Sequence, residues 1–484
     1  MKINVKKGHV LENPAEMAVL FTVEGTELPK TISGLFEPND YNGKGKETLL
    51  LYTPGGEMPR RVLLVGLGKQ EKINADTLRN AAAAAIKEAR KMKMTSISVG
   101  MHGEIDLDDQ LSAQAMTEGM ELGSYRFLNY KTDLKEEEKF AVDEAVIFSN
   151  DVEKVTKGVA DGQAIAAGVI LARNLVNGPG ADITPARFGE EAFAMEERVN
   201  IKSTVLDLQE LKEQGFGGIL AVGQASANEP RFIVMEYGEP SDDVPTICVV
   251  GKGLTFDSGG LNIKPADAMV AMKSDMGGAA TVFGTVEAVA RLNLPIHLVG
   301  IVSAAENMPG PNAYRPGDVV KTLSGKTVEI LNTDAEGRVI LADGLHYAQQ
   351  YQPEAIINFA TLTGAMIIAL GPHATGLMAT DQSLADKIKE AGEVSGERVW
   401  QLPLWDEYHE MVKSDIADLK NLGGRPAGSI TAGAFLAAFA GDYPFAHLDI
   451  AATGWLDKPL KNYQQAGGSG VGVRLMVELL KNFK

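Results

Sequence analysis

Two α/β domains, each with a largely parallel sheet flanked by helices, are what this sequence predicts, and three observations carry that prediction. The chain has 484 residues, and at about 150 residues per domain that suggests two or three domains with ample core. In both halves short apolar runs alternate with long helical patterns, the signature of β-α-β units. Between the halves lies one long helical run, "VEKVTKGVADGQAIAAGVILARNLVN" (152–177), able to join two domains.

The elements follow in order. "RRVLLVGLG" (60–68) is a buried-strand run ending in glycines, "ADTLRNAAAAAIKEARKMK" (75–93) is a strong helix, and "SISVG" (96–100) is another strand. Together they make a β-α-β unit and predict a parallel sheet. The charged stretch 129–144 is the weakest-patterned part of this half. We place an N-terminal α/β domain at 1–153, a linking helix at 154–177 and a second domain at 178–484. In the second domain strands are expected at 232–238, 246–251, 296–303, 327–331 and 355–361, with helices at 277–293 and 339–350 on both faces of the sheet. Ligands in such sheets bind at the carboxyl ends of strands. Lys252 and Asp334 both lie just past predicted strand ends, so one site can hold both.

Acids outnumber bases 64 to 46, for a net charge of −18. That disfavours nucleic acid or an anionic membrane as the main partner, because phosphate binding needs a positive field. The single cysteine, Cys248, lies in an apolar run, so disulfide scaffolds and thiolate zinc sites are excluded. The first residues lack the apolar stretch of a signal peptide. The longest apolar region, "INFATLTGAMIIALG", falls short of the ~20 residues a membrane span needs. The expectation is a cytoplasmic protein.

Familiar sites fail on inspection. "GLGKQE" (66–71) lacks the third glycine of a dinucleotide fingerprint. The Gly-Lys pairs at 251–252 and 325–326 lack the opening glycine of a P-loop, since Thr246 and Val320 stand there. "HEMVK" (409–413) misses the second histidine of a zinc-protease helix, and there is no G-x-S-x-G elbow. With seven scattered histidines and one cysteine, any metal must be held mainly by oxygen.

Two stretches remain. In "VEILNTDAEGRVILADG" an apolar run ends in Asp334, Glu336 and Arg338, which in an extended chain would share one face. In "VVGKGLTFDSGGLNIKPADAMVAMKSDMGGAA" (249–280) a strand leads into Lys252, Asp257, Lys264 and Asp275. Adjacent carboxylates repel unless something positive lies between them. Two divalent cations would balance Asp257, Asp275, Asp334 and Glu336 if Lys252 were neutral, and carboxylates can bridge two metals about 3.5–4 Å apart. Each residue also has a plain reading: Asp275 as a helix cap, Asp334 or Glu336 as first-turn acids, the lysines and Arg338 as ion-pair partners. Spacing alone leaves both readings open.

The motifs "VGKGLTFDSGGLNIKP", "MKSDMGGAA", "ENMPGPNAYRPGDV" and "NTDAEGR", in this order and spacing, resemble those of the leucyl (cytosol) aminopeptidases. The resemblance spans 170–484 and includes "LARNLVNGPGADITP", "SDIADLKN" and "HLDIAATGW". It implies a metallopeptidase domain at 178–484. One metal would be held by Asp257, Asp334 and Glu336, and the other by Lys252, Asp257, Asp275 and Glu336. The metals would be Mn²⁺ or Zn²⁺, with Mg²⁺ an alternative. It further implies Lys264 as oxyanion stabiliser, Arg338 as the holder of a bicarbonate acting as base, and Met272, Asn332, Thr361, Leu362 and Gly364 around the substrate. Peptides with a free N-terminus would be the substrates and a homohexamer the assembly. Two other readings compete: a different two-metal hydrolase such as a phosphoesterase, and a non-catalytic regulatory protein whose first domain recognises a nucleotide.

Overall fold

The computed structural model describes residues 1–483 except 13, 14, 55–57 and 104. The chain divides into two compact units, one formed by Met1–Ala166 with Pro459–Gln465, the other by Ala167–Lys458 with Ala466–Lys484. The division falls inside helix Val152–Asn177. That helix is long and apolar enough to cross a membrane by composition, but 61% of its apolar window is buried inside the protein, as in a core helix.

The first unit holds a six-stranded sheet in the spatial order Lys2–Lys7, Glu144–Ser149, Ser96–His102, Ala18–Val23, Arg61–Gly68, Thr48–Tyr52. All neighbours are parallel except the edge strand Thr48–Tyr52. The predicted β-α-β unit is present, its helix Ala75–Lys91 crossing from one side of Ala18–Val23 to the other. That helix begins where Asn74 and Thr77 cap each other's backbone.

The second unit holds eight strands in the order Val399–Gln401, Thr375–Ala379, Phe445–Asp449, Ala355–Ala360, Thr246–Asp257, His297–Asn307, Arg231–Tyr237, Lys202–Leu206. The middle four are parallel and buried apart from the half-buried Phe256; antiparallel pairings occur only outside them. Two central strands run past their predicted ends. Thr246–Asp257 continues through Gly251 and Gly253, so Lys252 lies within a strand and not beyond it. The glycines are there for contact rather than termination: a Cβ on Gly251 would sit 2.7 Å from the Gly278 carbonyl of the covering helix Gly277–Leu292. The predicted strand 327–331 does not enter this sheet; Thr327–Glu329 pairs with Val319–Lys321 and Leu419–Lys420 in a separate three-stranded sheet.

Helix Gly337–Ala348 is anchored by Asp343, which is fully buried and lacks a cationic partner among the described residues. Its carboxylate accepts from the backbone N–H groups of Ile219 at 2.9 Å and Leu323 at 2.8 Å. Burial nevertheless pushes its pKa up to about 7. A raised carboxyl pKa means that the stability it contributes is complete below about pH 4 and lost as pH rises through 7. Asp343→Asn turns an N–H toward those donors and is expected to cost about 1–3 kcal/mol. Chemical denaturation should also show that the variant has lost the wild type's decline in stability between pH 4 and 7.

Candidate active site

Lys252 and Asp257 are five residues apart, which in a regular strand would send them to opposite faces. The pairing with His297–Asn307 slips by one residue here: Leu254 faces Ala305 and Phe256 faces Glu306, leaving Thr255 extra. This bulge returns Asp257 to the face that carries Lys252. Beyond it Gly259 and Gly260 adopt positive φ, and the loop brings Lys264 back over the strand end.

The second acidic segment is a turn rather than a strand, so the expected shared face of Asp334, Glu336 and Arg338 does not form. Asn332 Oδ1 accepts from the Asp334 N–H at 2.7 Å, Thr333 Oγ1 donates to Gly259 O at 2.7 Å, and the helix begins at Gly337 immediately after Glu336. Glycine at 337 leaves room for the Lys252 side chain, since a Cβ there would lie 2.5 Å from Lys252 Cε and push the amine aside. Asp334 and Glu336 turn toward Asp257, while Arg338 enters the protein interior.

Oxygens of Asp257, Asp334 and Glu336 all lie within 4.8 Å of one another. Lys252 Nζ stands 2.7 Å from Asp275 Oδ2 and 3.0 Å from Glu336 Oε1. It also donates to Thr361 O at 3.1 Å. Lys264 Nζ lies between Asp257 Oδ2 at 2.9 Å and Asp334 Oδ1 at 2.6 Å. Four carboxylates thus face two ammonium groups, and the buried cluster keeps an excess of negative charge. Its titration reflects that excess. Burial, with Glu336 and Asp275 adding repulsion, holds the Asp257 carboxyl well above its usual range. Burial pushes Asp275 up to about 6 against the pull of Lys252, and raises Asp334. Burial alone would depress Lys252, but Asp275, Glu336 and Asp257 outweigh it and raise it. The same ammonium groups outweigh burial at Glu336 and lower it.

The capping readings of Asp275 and Glu336 fail on geometry, whereas the lysines do form the ion pairs that their plain reading expects. Met276, not Asp275, precedes the helix, no side chain caps it, and the Asp275 carboxylate goes to Lys252 and to Thr361 Oγ1 at 2.7 Å. Glu336 makes no capping bond either, and its buried Oε2 has no hydrogen-bond partner among the described residues. Donor type, charge excess and that bare oxygen all fit divalent cations.

Arg338 is buried, and among the described residues its Nε and Nη1 find no acceptor. Burial pulls its pKa down to about 10, opposed by Glu336 and Asp449. A buried guanidinium with unused donors has the chemistry to hold a small anion.

The residues expected around the substrate divide. Thr361 touches Asp275, and Asn332 shapes the Asp334 turn. Gly364 is exposed at the start of helix Gly364–Leu370, with open space where a Cβ would be. Leu362 packs on the core cluster, its N–H donating to Asp449 Oδ1 at 3.1 Å. Met272 is half-buried in the turn that leads to Asp275.

Sequence reasoning missed the supports. Asn307 Nδ2 donates to Asp257 Oδ1 and to Thr333 O, at 2.8 and 2.9 Å. Tyr314 OH donates to the same Thr333 carbonyl at 2.9 Å. Asn421 Nδ2 donates to Asn332 O at 2.7 Å while its Oδ1 accepts from Leu331 N at 2.8 Å. All three lie in the quoted motifs, but only chain pairing reveals what they hold.

Comparison with known proteins matches this geometry to one family. Residues 170–477 match the catalytic-domain model of the cytosol aminopeptidase family and 20–134 match its N-terminal-domain model. The chain is 53% identical to a probable cytosol aminopeptidase of Roseiflexus castenholzii, over 100% of this chain and 99% of that one. It is 46% identical to one from Geotalea uraniireducens, over 94% and 92%. Among solved structures, the bottromycin maturation enzyme BotP in complex with Mn superposes with a TM-score of 0.88 at 33% identity, covering 96% of this chain and 99% of that one. A tomato leucine aminopeptidase mutant superposes at 0.89 and 32% identity, covering 99% and 96%. The chain therefore belongs to the cytosol aminopeptidase family and is a metallo-aminopeptidase.

Proposed function

We propose that this aminopeptidase uses two divalent cations per chain to release N-terminal residues, leucine and other apolar ones preferred, from peptides. The observation that carries the reading is the convergence of Asp257, Asp334 and Glu336 within 4.8 Å, with Lys252 and Asp275 adjoining. Asp257, Asp334 and Glu336 would hold one ion; Lys252, once the incoming ion has displaced its proton, would join Asp257, Asp275 and Glu336 around the other. Such ions supply Lewis-acid polarisation of the scissile carbonyl and a water acidic enough to react near neutral pH. Lys264 donates to the oxygen that becomes negative as the carbonyl is attacked. Arg338, with its unused donors, holds bicarbonate, which takes up the proton that no nearby side chain is free to accept. Thr361, Asn332, Met272, Leu362 and Gly364 bound the substrate. BotP's manganese supports a divalent ion here, and Mn²⁺ or Zn²⁺ suits the donor set. A cytoplasmic homohexamer completes the reading.

The test is leucine-anilide hydrolysis by chelator-stripped protein titrated with Mn²⁺ or Zn²⁺, with bound metal counted. Activity should return in step with the second ion per chain. Full activity at one ion would sink the two-ion mechanism, and turnover of phosphate esters instead of anilides would sink the peptidase assignment.

A further inference from the structure

The first unit contains a cavity of about 660 Å³, within the roughly 300–1,000 Å³ typical of small-molecule sites. It opens at the carboxyl end of strand Arg61–Gly68, where ligands of parallel sheets bind. Its charge is unusual for a chain of net −18. Lys461 is neutralised by Asp76 at 3.0 Å. Lys46, Lys69 and Lys72 are exposed and, among the described residues, none forms an ion pair; Glu24 is the one opposing acid. Two positive charges are left over.

Placement of the lysines follows from the backbone. Lys69 directly follows Gly68, and Lys72 closes the short turn Gln70–Lys72. Lys46 sits at φ 71, uncommon for a residue with a Cβ, and its N–H donates to Gly66 O at 3.2 Å. The N-terminus of helix Ala75–Lys91 contributes little, because Asn74 and Thr77 already cap it. Ala81, Ala84 and Leu460 form an apolar wall.

We propose that this cavity binds a small phosphate monoester, its phosphate among Lys46, Lys69 and Lys72 and its body against the apolar wall. A phosphate monoester carries close to two negative charges at neutral pH, which matches the surplus; a carboxylate carries one. The site lies outside the peptidase machinery and its test is independent of metal.

Calorimetric titration of the full-length protein with inorganic phosphate, AMP and glucose 6-phosphate tests it. At least one ester should bind saturably, more tightly than inorganic phosphate, and more weakly as salt is raised. The exposed pair K69E/K72E should weaken that binding about tenfold or more. T48W, which fills the cavity from the exposed edge strand, should do the same, and both variants should hydrolyse leucine anilide as the wild type does. Absence of saturation by all three probes, inorganic phosphate binding as tightly as both esters, or undiminished binding by T48W would each overturn the proposal.

Discussion

Asp257→Ala is expected to lower aminopeptidase activity on the order of 10³-fold or more, about 4 kcal/mol of barrier, and to lower bound metal with it. Asp257 is the best-supported acid of the cluster: Gly259 N–H and Asn307 Nδ2 hold its Oδ1, each at 2.8 Å, leaving Oδ2 to face Lys264. Burial and the like charges of Glu336 and Asp275 penalise its ionised form. Removing it relieves repulsion with Glu336 and Asp275, so the metal-free variant should melt no lower than metal-free wild type. Asn307→Ala serves as the graded comparison, because it frees the carboxylate without deleting it; a loss of about 10–100-fold is expected. Activity assays, metal counts and melting of stripped protein separate the outcomes. A metal-free Asp257→Ala that unfolds would mean that the residue holds the fold together, not the ions.

Legibility in the sequence tracked how local each feature is. Apolar runs and glycine-rich ends revealed the parallel strands Arg61–Gly68, Thr246–Asp257 and Ala355–Ala360, because burial on both faces writes a continuous hydrophobic stretch. Strand Lys2–Lys7 gave no such signal, since it is a charged edge strand. The expected strand end at Gly251 was a misreading; the helix this glycine admits is close in space and distant in sequence. The candidate residues Lys252, Asp257, Lys264, Asp275, Asp334 and Glu336 could be singled out because they fall in two short segments, and the resemblance supplied their proposed roles. Their arrangement could not be drawn. It depends on the extra Thr255, visible only against the register of His297–Asn307, and on a turn where an extended chain was expected. Asn307, Tyr314 and Asn421 stayed silent for the same reason: each acts through a backbone or side-chain atom that pairing, not spacing, delivers.

Lys264→Met is expected to reduce kcat by about 10²–10³-fold, the usual cost of deleting one donor to a developing oxyanion, while metal content holds. The second half of that expectation runs against intuition for a charged residue amid four carboxylates. Lys264 Nζ lies between Asp257 and Asp334, at 2.9 and 2.6 Å. It is a built-in counter-ion, and a divalent cation claiming those two oxygens must displace it. Deleting the ammonium should therefore lower the melting temperature of stripped protein, since the acids lose their partner, and strengthen cation binding, since nothing has to leave. Lys252→Met should behave oppositely: that amine lies between Asp275 and Glu336, a proposed ligand in its own right, and its loss should weaken binding. Direct metal titration of the two stripped variants decides the matter. If Lys264→Met binds metal more weakly than wild type, Lys264 organises the carboxylates for the ions, and its role in stabilising the oxyanion would no longer be needed to explain the lost turnover.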